Sequence, residues 1–364
     1  MSELAAEHGA INLSQGFPDF DCSPDLVHLV SLAMKQGLNH YSPMSGIAEL
    51  REEISRKQYE IHQANYHPST EVTVTAGGSE ALFSAIAAVV HPGDEVIVFE
   101  PAYDLYRPAI ELFGGVVRAV RLMAPDFRID WNEVRSLISH KTRLIVLNNP
   151  NNPATVVLDE DDFKELIQIV RNSEIMILSD EVYEHIVFDG RQHFSVSRFP
   201  ELKERSFLVA SFGKLYHITG WKVGYCLAPE ILTKEFRKVH QFNVFCVNTP
   251  VQYGLAEFLK RKEEYLALPS LFQQKRDFFM DGLAQSGFKA IKPQGSYFLL
   301  ADYSEISGLN EFDFSKWLTI KHKVAVIPVS AFYANPPEQK LVRFCFAKKE
   351  ETLEKALEIL VKLK

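Results

Sequence analysis

The middle of the chain alternates short apolar runs with longer stretches in which apolar residues recur at helical spacing. The apolar runs are EVTVTAGG (71–78), EVIVFEPAY (95–103), RLIVLNNP (143–150), IMILSDEVY (175–183) and SFLVASFGK (206–214), with GYCLAP (224–229) as one more strand after a tight turn. Helical patterns follow the first three runs, as in SEALFSAIAAVV after residue 78. Strands that alternate with helices predict an α/β protein with a mostly parallel sheet covered by helices on both faces.

Beyond about residue 260 the pattern changes. One long helical stretch, EEYLALPSLFQQKRDFFMDGLAQSG, leads into GSYFLLADY, VAVIPVSAFY, LVRFCFAKK and an amphipathic closing helix. This mixed order predicts a second, smaller α+β domain. We therefore expect an N-terminal segment over 1–25 that contributes to the small domain, a large domain over 26–260 and a small C-terminal domain over 261–364.

Composition narrows the class of protein. The chain has 364 residues, of which 46% are hydrophobic and 24% charged, as in ordinary globular enzymes. The net charge of -8 argues against nucleic acid as a partner. Cys22, Cys226, Cys246 and Cys345 form no CxxC pair, which suits a reducing compartment and gives no metal signal. With no secretory leader pattern and no apolar run near the ~20 residues that span a bilayer, we expect a cytoplasmic protein without membrane contact.

The first functional clue is the residues at the strand ends. Each apolar run ends in polar or glycine-rich residues, namely TAGGS, EPAYD, NNPNNP, SDEVY and SFGK. Ligands of open parallel α/β sheets bind outside the carboxyl ends of the strands, so these endings should converge on one crevice. Polar loops alone would explain any single ending. They explain the whole set poorly, because the residue types complement one another.

The strand-end residues supply a distinct set of chemical groups. Gly78 and Ser79 open a helix, which favours an anion such as phosphate, and Ser211 and Lys222 would add a hydroxyl and a cation. The remaining groups are the carboxylate of Asp180, the phenol of Tyr183, the amide of Asn152, the ring of Tyr103 and the amine of Lys214. A buried carboxylate needs a cationic or proton-donating partner. The set matches pyridoxal 5'-phosphate, which carries a phosphate, a protonated ring nitrogen, a phenolic oxygen and an aldehyde that condenses with an amine.

These residues also carry a family resemblance. SFGKLYHITGWKVGY resembles the lysine motif of fold-type I, class I/II aminotransferases, and NNPNNP, SDEVY, YSPMSGIAELR and LVRFCFA are similar to that family's other signatures in the same order. The resemblance runs from about Ile11 to the C-terminus. AINLSQGFPDFD, HQFNVFCVNTP and RFCFAKKE are most similar to bacterial methionine aminotransferases and their kynurenine or glutamine transaminase relatives.

The resemblance implies a role for each site residue. Lys214 would bond to the cofactor and later carry the proton, Asp180 would hold the ring nitrogen protonated, and Arg343 would clamp the substrate carboxylate. It further assigns Tyr183 and Asn152 to the ring oxygen, Tyr103 to stacking, Gly78, Ser79, Ser211 and Lys222 to the phosphate, and Gly16, Phe17 and Asn152 to the substrate. Tyr41 would reach the phosphate of a neighbouring subunit, which implies a homodimer with shared sites. The segment 1–25 would also shape the substrate entrance.

Each assignment has a structural alternative. Lys214 and Lys222 could be solvated surface lysines, Asp180 a helix N-cap and Arg343 half of a structural ion pair. Tyr41 and Tyr103 could be core aromatics, and Tyr216 and His217 suit packing as well as ligand contact. Two features depart from the family pattern. Ala154-Thr155 replaces the usual Thr-Gly, so the turn must differ locally, and the N-terminus is shorter than in relatives.

The substrate is expected to be an apolar amino acid. No second arginine is evident for a side-chain carboxylate, and Phe17, Tyr41, Tyr216, Phe245, Tyr297 and Phe332 suggest an aromatic pocket. The thioether of methionine packs well on aromatic rings. Phenylalanine, tyrosine, kynurenine and glutamine stay open, because apolar pockets discriminate by only ~1–3 kcal/mol per methylene. A cysteine-S-conjugate β-lyase on the same fold is the alternative enzyme, and a regulator of this fold would need an additional DNA-binding domain.

Overall fold

The computed structural model describes all of residues 1–364. The strands, in chain order, are β1 (Ile11–Asn12), β2 (Val72–Thr75), β3 (Glu95–Glu100), β4 (Val116–Arg121), β5 (Thr142–Asn148), β6 (Met176–Asp180), β7 (Ser206–Ser211), β8 (Gly224–Leu227), β9 (Lys289–Ile291), β10 (Phe298–Asp302), β11 (Val324–Ala325), β12 (Ile327–Pro328) and β13 (Leu341–Cys345). The helices are α1 (Ser2–Glu7), α2 (Pro24–Lys35), α3 (Ala48–His62), α4 (Gly78–Val89), α5 (Tyr106–Leu112), α6 (Trp131–Leu137), α7 (Glu160–Val170), α8 (Pro200–Lys203), α9 (Phe212–Leu215), α10 (Glu230–Asn243), α11 (Thr249–Phe258), α12 (Lys262–Leu266), α13 (Leu268–Leu283), α14 (Glu311–His322) and α15 (Glu350–Leu360).

A seven-stranded sheet in the order β2-β8-β7-β6-β5-β3-β4 forms the centre of the molecule. The pairings from β7 to β4 are all parallel, and β8 runs antiparallel to both of its neighbours. The strands are buried on both faces: along β5, Leu144 and Val146 contribute to one apolar core, and Ile145 and Leu147 contribute to the other. This two-sided burial is why the sequence runs are continuously apolar, and it confirms the predicted α/β class.

Two smaller sheets are built largely from the C-terminal part of the chain. A four-stranded sheet has the order β12-β13-β10-β9, and β1 pairs in parallel with β11. The N-terminal strand therefore pairs with a C-terminal strand, and the contribution of residues 1–25 to the small domain stays a proposal. The domain boundaries at residues 25 and 260 stay a proposal.

The structure corrects the predicted element pattern in two places. Strand β4 was not expected, because exposed positions alternate with half-buried or buried ones at the edge of the sheet instead of forming an apolar run. The long helical stretch after residue 260 is two helices, α12 and α13, which are separated at Ala267. Pro269 lies in the first turn of α13, where a missing N–H costs no helical hydrogen bond. No helix has the length and apolar character that crossing a membrane requires.

Candidate active site

The carboxyl ends of the parallel strands open into a cavity of about 310 Å³. Its lining includes every predicted site residue except Tyr41 and Phe17, namely Gly16, Gly78, Ser79, Tyr103, Asn152, Asp180, Tyr183, Ser211, Lys214, Lys222 and Arg343. These residues come from both ends of the sequence and from five strand ends. The predicted crevice therefore exists, and its residues face one common space.

One end of the cavity is suited to an anion. Helix α4 begins there at Gly78, so its free N–H groups and its dipole point into the cavity. A Cβ on Gly77, whose φ is +84°, would lie 3.4 Å from Lys222 Nζ, which places the ammonium beside this helix end. Ser79 Oγ lies 3.3 Å from the Tyr103 hydroxyl. Lys222 has no carboxylate within 4.0 Å, so its charge is available to a ligand.

Asp180 ends β6 and lines the same cavity. Its carboxylate accepts a hydrogen bond from the Tyr106 hydroxyl at 2.6 Å and one from the backbone N–H of Val182 at 3.3 Å. Asp180 caps no helix, since a turn follows β6. Burial raises the pKa of Asp180 to about 6, although the hydrogen bonds oppose the shift. Tyr106 was missed in the sequence, where only its place in the helix after EPAYD is visible.

Lys214 lies in the short helix α9, directly after β7. Its Nζ donates to the carbonyl of Gly16 at 3.1 Å and lies 5.7 Å from the ring centroids of Tyr183 and Tyr297. Burial lowers the pKa of Lys214 to about 8, so a much larger fraction of this amine is neutral near physiological pH than for an exposed lysine. The Tyr297 hydroxyl donates to the same carbonyl at 2.6 Å. A Cβ on Gly16 would lie only 2.6 Å from Phe298, so this approach requires glycine.

Arg343 is a buried cation without an acidic partner. Its guanidinium donates to Asn152 Oδ1 at 2.6 Å and to the carbonyl of Ser14 at 2.9 Å, and it forms no ion pair. It lies between two aromatic rings, 4.0 Å from the Phe298 centroid and 4.9 Å from that of Phe332. Its Nε is buried without a hydrogen-bond partner. The structural ion pair considered for this residue is absent, and a planar carboxylate would suit the fork.

The expected aromatic pocket is only partly formed. Phe332 lines the cavity, and Tyr297 reaches it through its hydrogen bond to Gly16. Tyr216 packs instead against Phe258 and Phe212, and His217 packs between Phe20 and Phe272. Tyr41 and Phe245 contact each other at the surface, and Phe17 lies beside the Lys348 ammonium. The apolar wall is made instead by Phe298, Ile327, Val223 and Leu82.

The turn after NNP contains Ala154 and Thr155. Thr155 adopts φ +63°, a left-handed conformation that is unusual for a β-branched residue. Its N–H donates to the carbonyl of Asn151, and its carbonyl accepts from the N–H groups of Gln294 and Gly295. These hydrogen bonds stabilise the turn next to Asn152, although the turn contains no glycine.

Comparison with known proteins defines the class. The family model of the class I and II aminotransferases matches residues 8–360, and the chain belongs to that family. It is 50% identical to the methionine aminotransferase of Escherichia coli strain K12, over all of this chain and 94% of that protein. A solved structure of an E. coli methionine aminotransferase superimposes with a TM-score of 0.98, covering 100% of this chain and 96% of that one. The kynurenine–oxoglutarate transaminase of Dictyostelium discoideum is 33% identical over 100% of this chain and 93% of that protein.

The enzymes of this family use pyridoxal 5'-phosphate, and the cavity fits that group. The α4 terminus and Lys222 would hold the phosphate, and the buried Asp180 carboxylate would hold the protonated ring nitrogen. Lys214 lines the same cavity, and its amine donates to the carbonyl of Gly16. Arg343, whose Nε has no hydrogen-bond partner, would bind a substrate carboxylate. Each charged group of the ligands thus has a complementary side chain that the protein itself leaves without an ionic partner.

Proposed function

We propose that this aminotransferase prefers methionine as amino donor and transfers its amino group to a 2-oxo acid by a ping-pong mechanism. The observation that carries the proposal is the buried Arg343, which has no acidic partner and lies beside an otherwise apolar wall. The other cations of the cavity are Lys214 and Lys222, which the cofactor would occupy. No cation remains for a second carboxylate, so neutral side chains are favoured over those of aspartate and glutamate. The similarity to a methionine aminotransferase supports the same donor.

The chain's own residues bind the substrate and move its proton. Arg343 and Asn152 would hold the α-carboxylate, which orients Cα towards Lys214. Pyridoxal 5'-phosphate, when bound, supplies an aldehyde that stores the amino group and a ring that stores the electron pair left at Cα. Lys214 Nζ would take the proton from Cα and hold it for return, a task for which its lowered pKa is suited. Asp180 would hold the ring nitrogen and favour its protonated form.

The assembly and location are part of the same proposal. Tyr41 is 85% exposed and lies edge-on to Phe245, 5.5 Å between ring centroids, and Phe242 nearby in sequence is 87% exposed. Exposed aromatic residues of this kind are expected to be covered by a second copy in a homodimer. A cytoplasmic location is proposed because all four cysteines are free and unpaired.

The test is a half-reaction panel without any acceptor. The holoenzyme is mixed with methionine, phenylalanine, kynurenine, glutamine or glutamate, and the visible absorbance of the cofactor is followed in a stopped-flow instrument. Methionine should give the largest ratio of half-reaction rate constant to KM and should release its 2-oxo acid. Glutamate reacting faster than methionine would contradict the proposed donor. Pyruvate and ammonia from cystathionine without an oxo acid would support the β-lyase alternative instead.

A further inference from the structure

The segment 180–185 has two faces. Asp180 and Tyr183 line the active-site cavity, whereas Glu181, Glu184 and His185 are buried on the opposite side. The mechanism proposed above uses only the first face. The second face meets helix α3 and forms a cluster of ionisable side chains, which we call the rear cluster: Lys57, His62, Glu181, Glu184, His185 and His193.

A buried ion pair forms the centre of the rear cluster. Lys57 Nζ donates to Glu184 Oε1 at 2.6 Å, and the Tyr225 hydroxyl donates to the same oxygen at 3.3 Å. Lys57 is 0% exposed and Glu184 7% exposed. Burial raises the pKa of Glu184, but Lys57 together with His185 and His62 holds that pKa well below its usual range. The pair therefore contributes one positive and one negative charge at the same place.

His62 and His185 add no charge. His62 Nε2 lies 3.5 Å from Glu184 Oε2, and His185 Nε2 lies 3.6 Å from Glu184 Oε1. Burial lowers the pKa of His62 and lowers that of His185 to about 3, so both rings are neutral at physiological pH. His193 Nε2 lies 2.9 Å from Glu181, whose carboxylate also accepts from Ser179 and from the N–H of Val196.

The rear cluster is poorly satisfied for a purely structural core. Unpartnered buried side-chain atoms include Gln58 Nε2 and Oε1, His62 Nδ1 and Nε2, Glu184 Oε2, His185 Nε2 and His193 Nδ1. Polar groups of this kind cost free energy that an apolar core would avoid. Such exceptions call for an explanation, and their position supplies one.

The rear cluster is the immediate neighbour of Lys214. A cavity of about 10 Å³, which has room for roughly one water molecule, is lined by Lys214, Ser211 and Val182 and by Glu184 and His185. The ionisable groups around Lys214 are Asp180, Tyr183, Lys222, Tyr297, Arg343 and Cys345 towards the active site, and Glu184 and His185 behind it. The side chains of Glu184 and His185 do not line the active-site cavity, so no substrate or cofactor atom would touch them.

We propose that Lys57 and Glu184 are positioning residues, which set the proton affinity of Lys214 because Lys57 neutralises the Glu184 carboxylate directly behind it. The inference rests on the proposed role of Lys214. In a region of low dielectric a single unpaired charge acts over several ångströms, whereas two opposite charges 2.6 Å apart largely cancel. Lys57→Met would leave a bare carboxylate, which favours the protonated state of Lys214 Nζ. Glu184→Gln would leave a bare ammonium, which disfavours it.

The experiment is a pH titration of the holoenzyme's visible absorbance, with no amino acid present. The pH at the midpoint of the absorbance change should rise in K57M and fall in E184Q, each by about one pH unit. In K57M/E184Q this midpoint pH should return to the wild-type value. In K57M, His62 or His185 can take up a proton beside Glu184, so the rise should be the smaller of the two shifts. His185→Gln is the matched control, because it alters the same small cavity without changing a charge, and its midpoint should not move.

A purely structural role predicts a different pattern. Both single variants would then unfold at lower temperature while their midpoints stay at the wild-type value, and this result would overturn the proposal, as would shifts of the same sign. Should the single variants fail to fold, Tyr225→Phe removes only one donor from Glu184, and a small upward shift is expected. An unchanged or lower midpoint in Y225F would contradict the proposal. Since no amino acid is present, the outcome is independent of whether methionine is the donor.

Discussion

Asp180 and Glu184 are four positions apart and equally inaccessible, yet the protein treats their carboxylates in opposite ways. Asp180 receives a phenol and a backbone N–H but no cation, and its pKa rises to about 6. Glu184 receives the ammonium of Lys57, and its pKa falls. The same contrast holds for the cations, since Lys57 is paired whereas Arg343 is buried with no carboxylate. The difference separates charges that the fold neutralises for itself from charges that it keeps for a ligand.

The largest expected effect tests the ligand side of this comparison. Lys214→Ala removes the amine that moves the substrate proton, so the half-reaction with methionine should slow by at least about 10²–10⁴-fold, the range for a lost general base. Single-turnover absorbance changes measure the rate. Lys275→Ala is a suitable control, because this lysine is also partly buried but donates only to the carbonyl of Lys348. Full transaminase activity in K214A would remove the central assignment.

The second effect tests the buried charges that pair with each other, Lys57 and Glu184. Lys57→Met leaves the Glu184 carboxylate buried without its cation and should lower the free energy of unfolding by about 3–5 kcal/mol. Urea unfolding of the cofactor-free chain measures the loss. K57M/E184Q should recover most of it, because no bare charge remains. A double variant as unstable as K57M would show that the pair contributes through packing rather than charge.

The third variant, Asp180→Asn, is expected to raise the free energy of unfolding instead of lowering it. The pKa of Asp180 is raised to about 6 from 3.8, so its contribution to stability is favourable only at low pH and is lost as pH rises through about 6. Asp180→Asn should therefore stabilise the cofactor-free chain at pH 7.5 by up to about 3 kcal/mol and have little effect near pH 4. Urea unfolding at the two pH values measures both. Cofactor affinity should fall in the same variant, and a destabilised D180N at pH 7.5 would contradict the comparison.

The smallest effect concerns the anion end of the cavity. Lys222→Gln removes one cation beside α4 but leaves the helix terminus and the hydroxyls in place, so cofactor affinity should fall by about tenfold, as for one charge-assisted hydrogen bond. Equilibrium titration of the cofactor-free chain measures the affinity. Lys222→Arg should recover most of it, since the charge is kept. A K222Q variant that binds cofactor normally and loses the Cα proton transfer would contradict the assignment of Lys222 to the phosphate and of Lys214 to the proton.

Much of the site could be predicted from the sequence because its signals are local. Continuous apolar runs fix the buried parallel strands, and residues that follow a buried parallel strand must lie at one edge of the sheet. Gly78, Asn152, Asp180 and Lys214 all meet in the cavity for this reason. Phe17 does not line it, because it lies on a surface segment whose direction no periodic pattern determines. Tyr41 is exposed, and its predicted contact with a neighbouring subunit stays a prediction.

The tertiary structure alone decided which charges are paired. The contacts of Lys57 with Glu184, of Tyr106 with Asp180 and of Arg343 with Ser14 join residues far apart in the chain. Their formation depends on how helices and sheets pack, and not on spacing along one element. By itself the sequence determined the α/β fold through its periodicity and strand endings, and it indicated the family and the lysine through its resemblance to known motifs. Whether a buried charge serves the fold or a ligand is a property of its partners, and only packing supplies those.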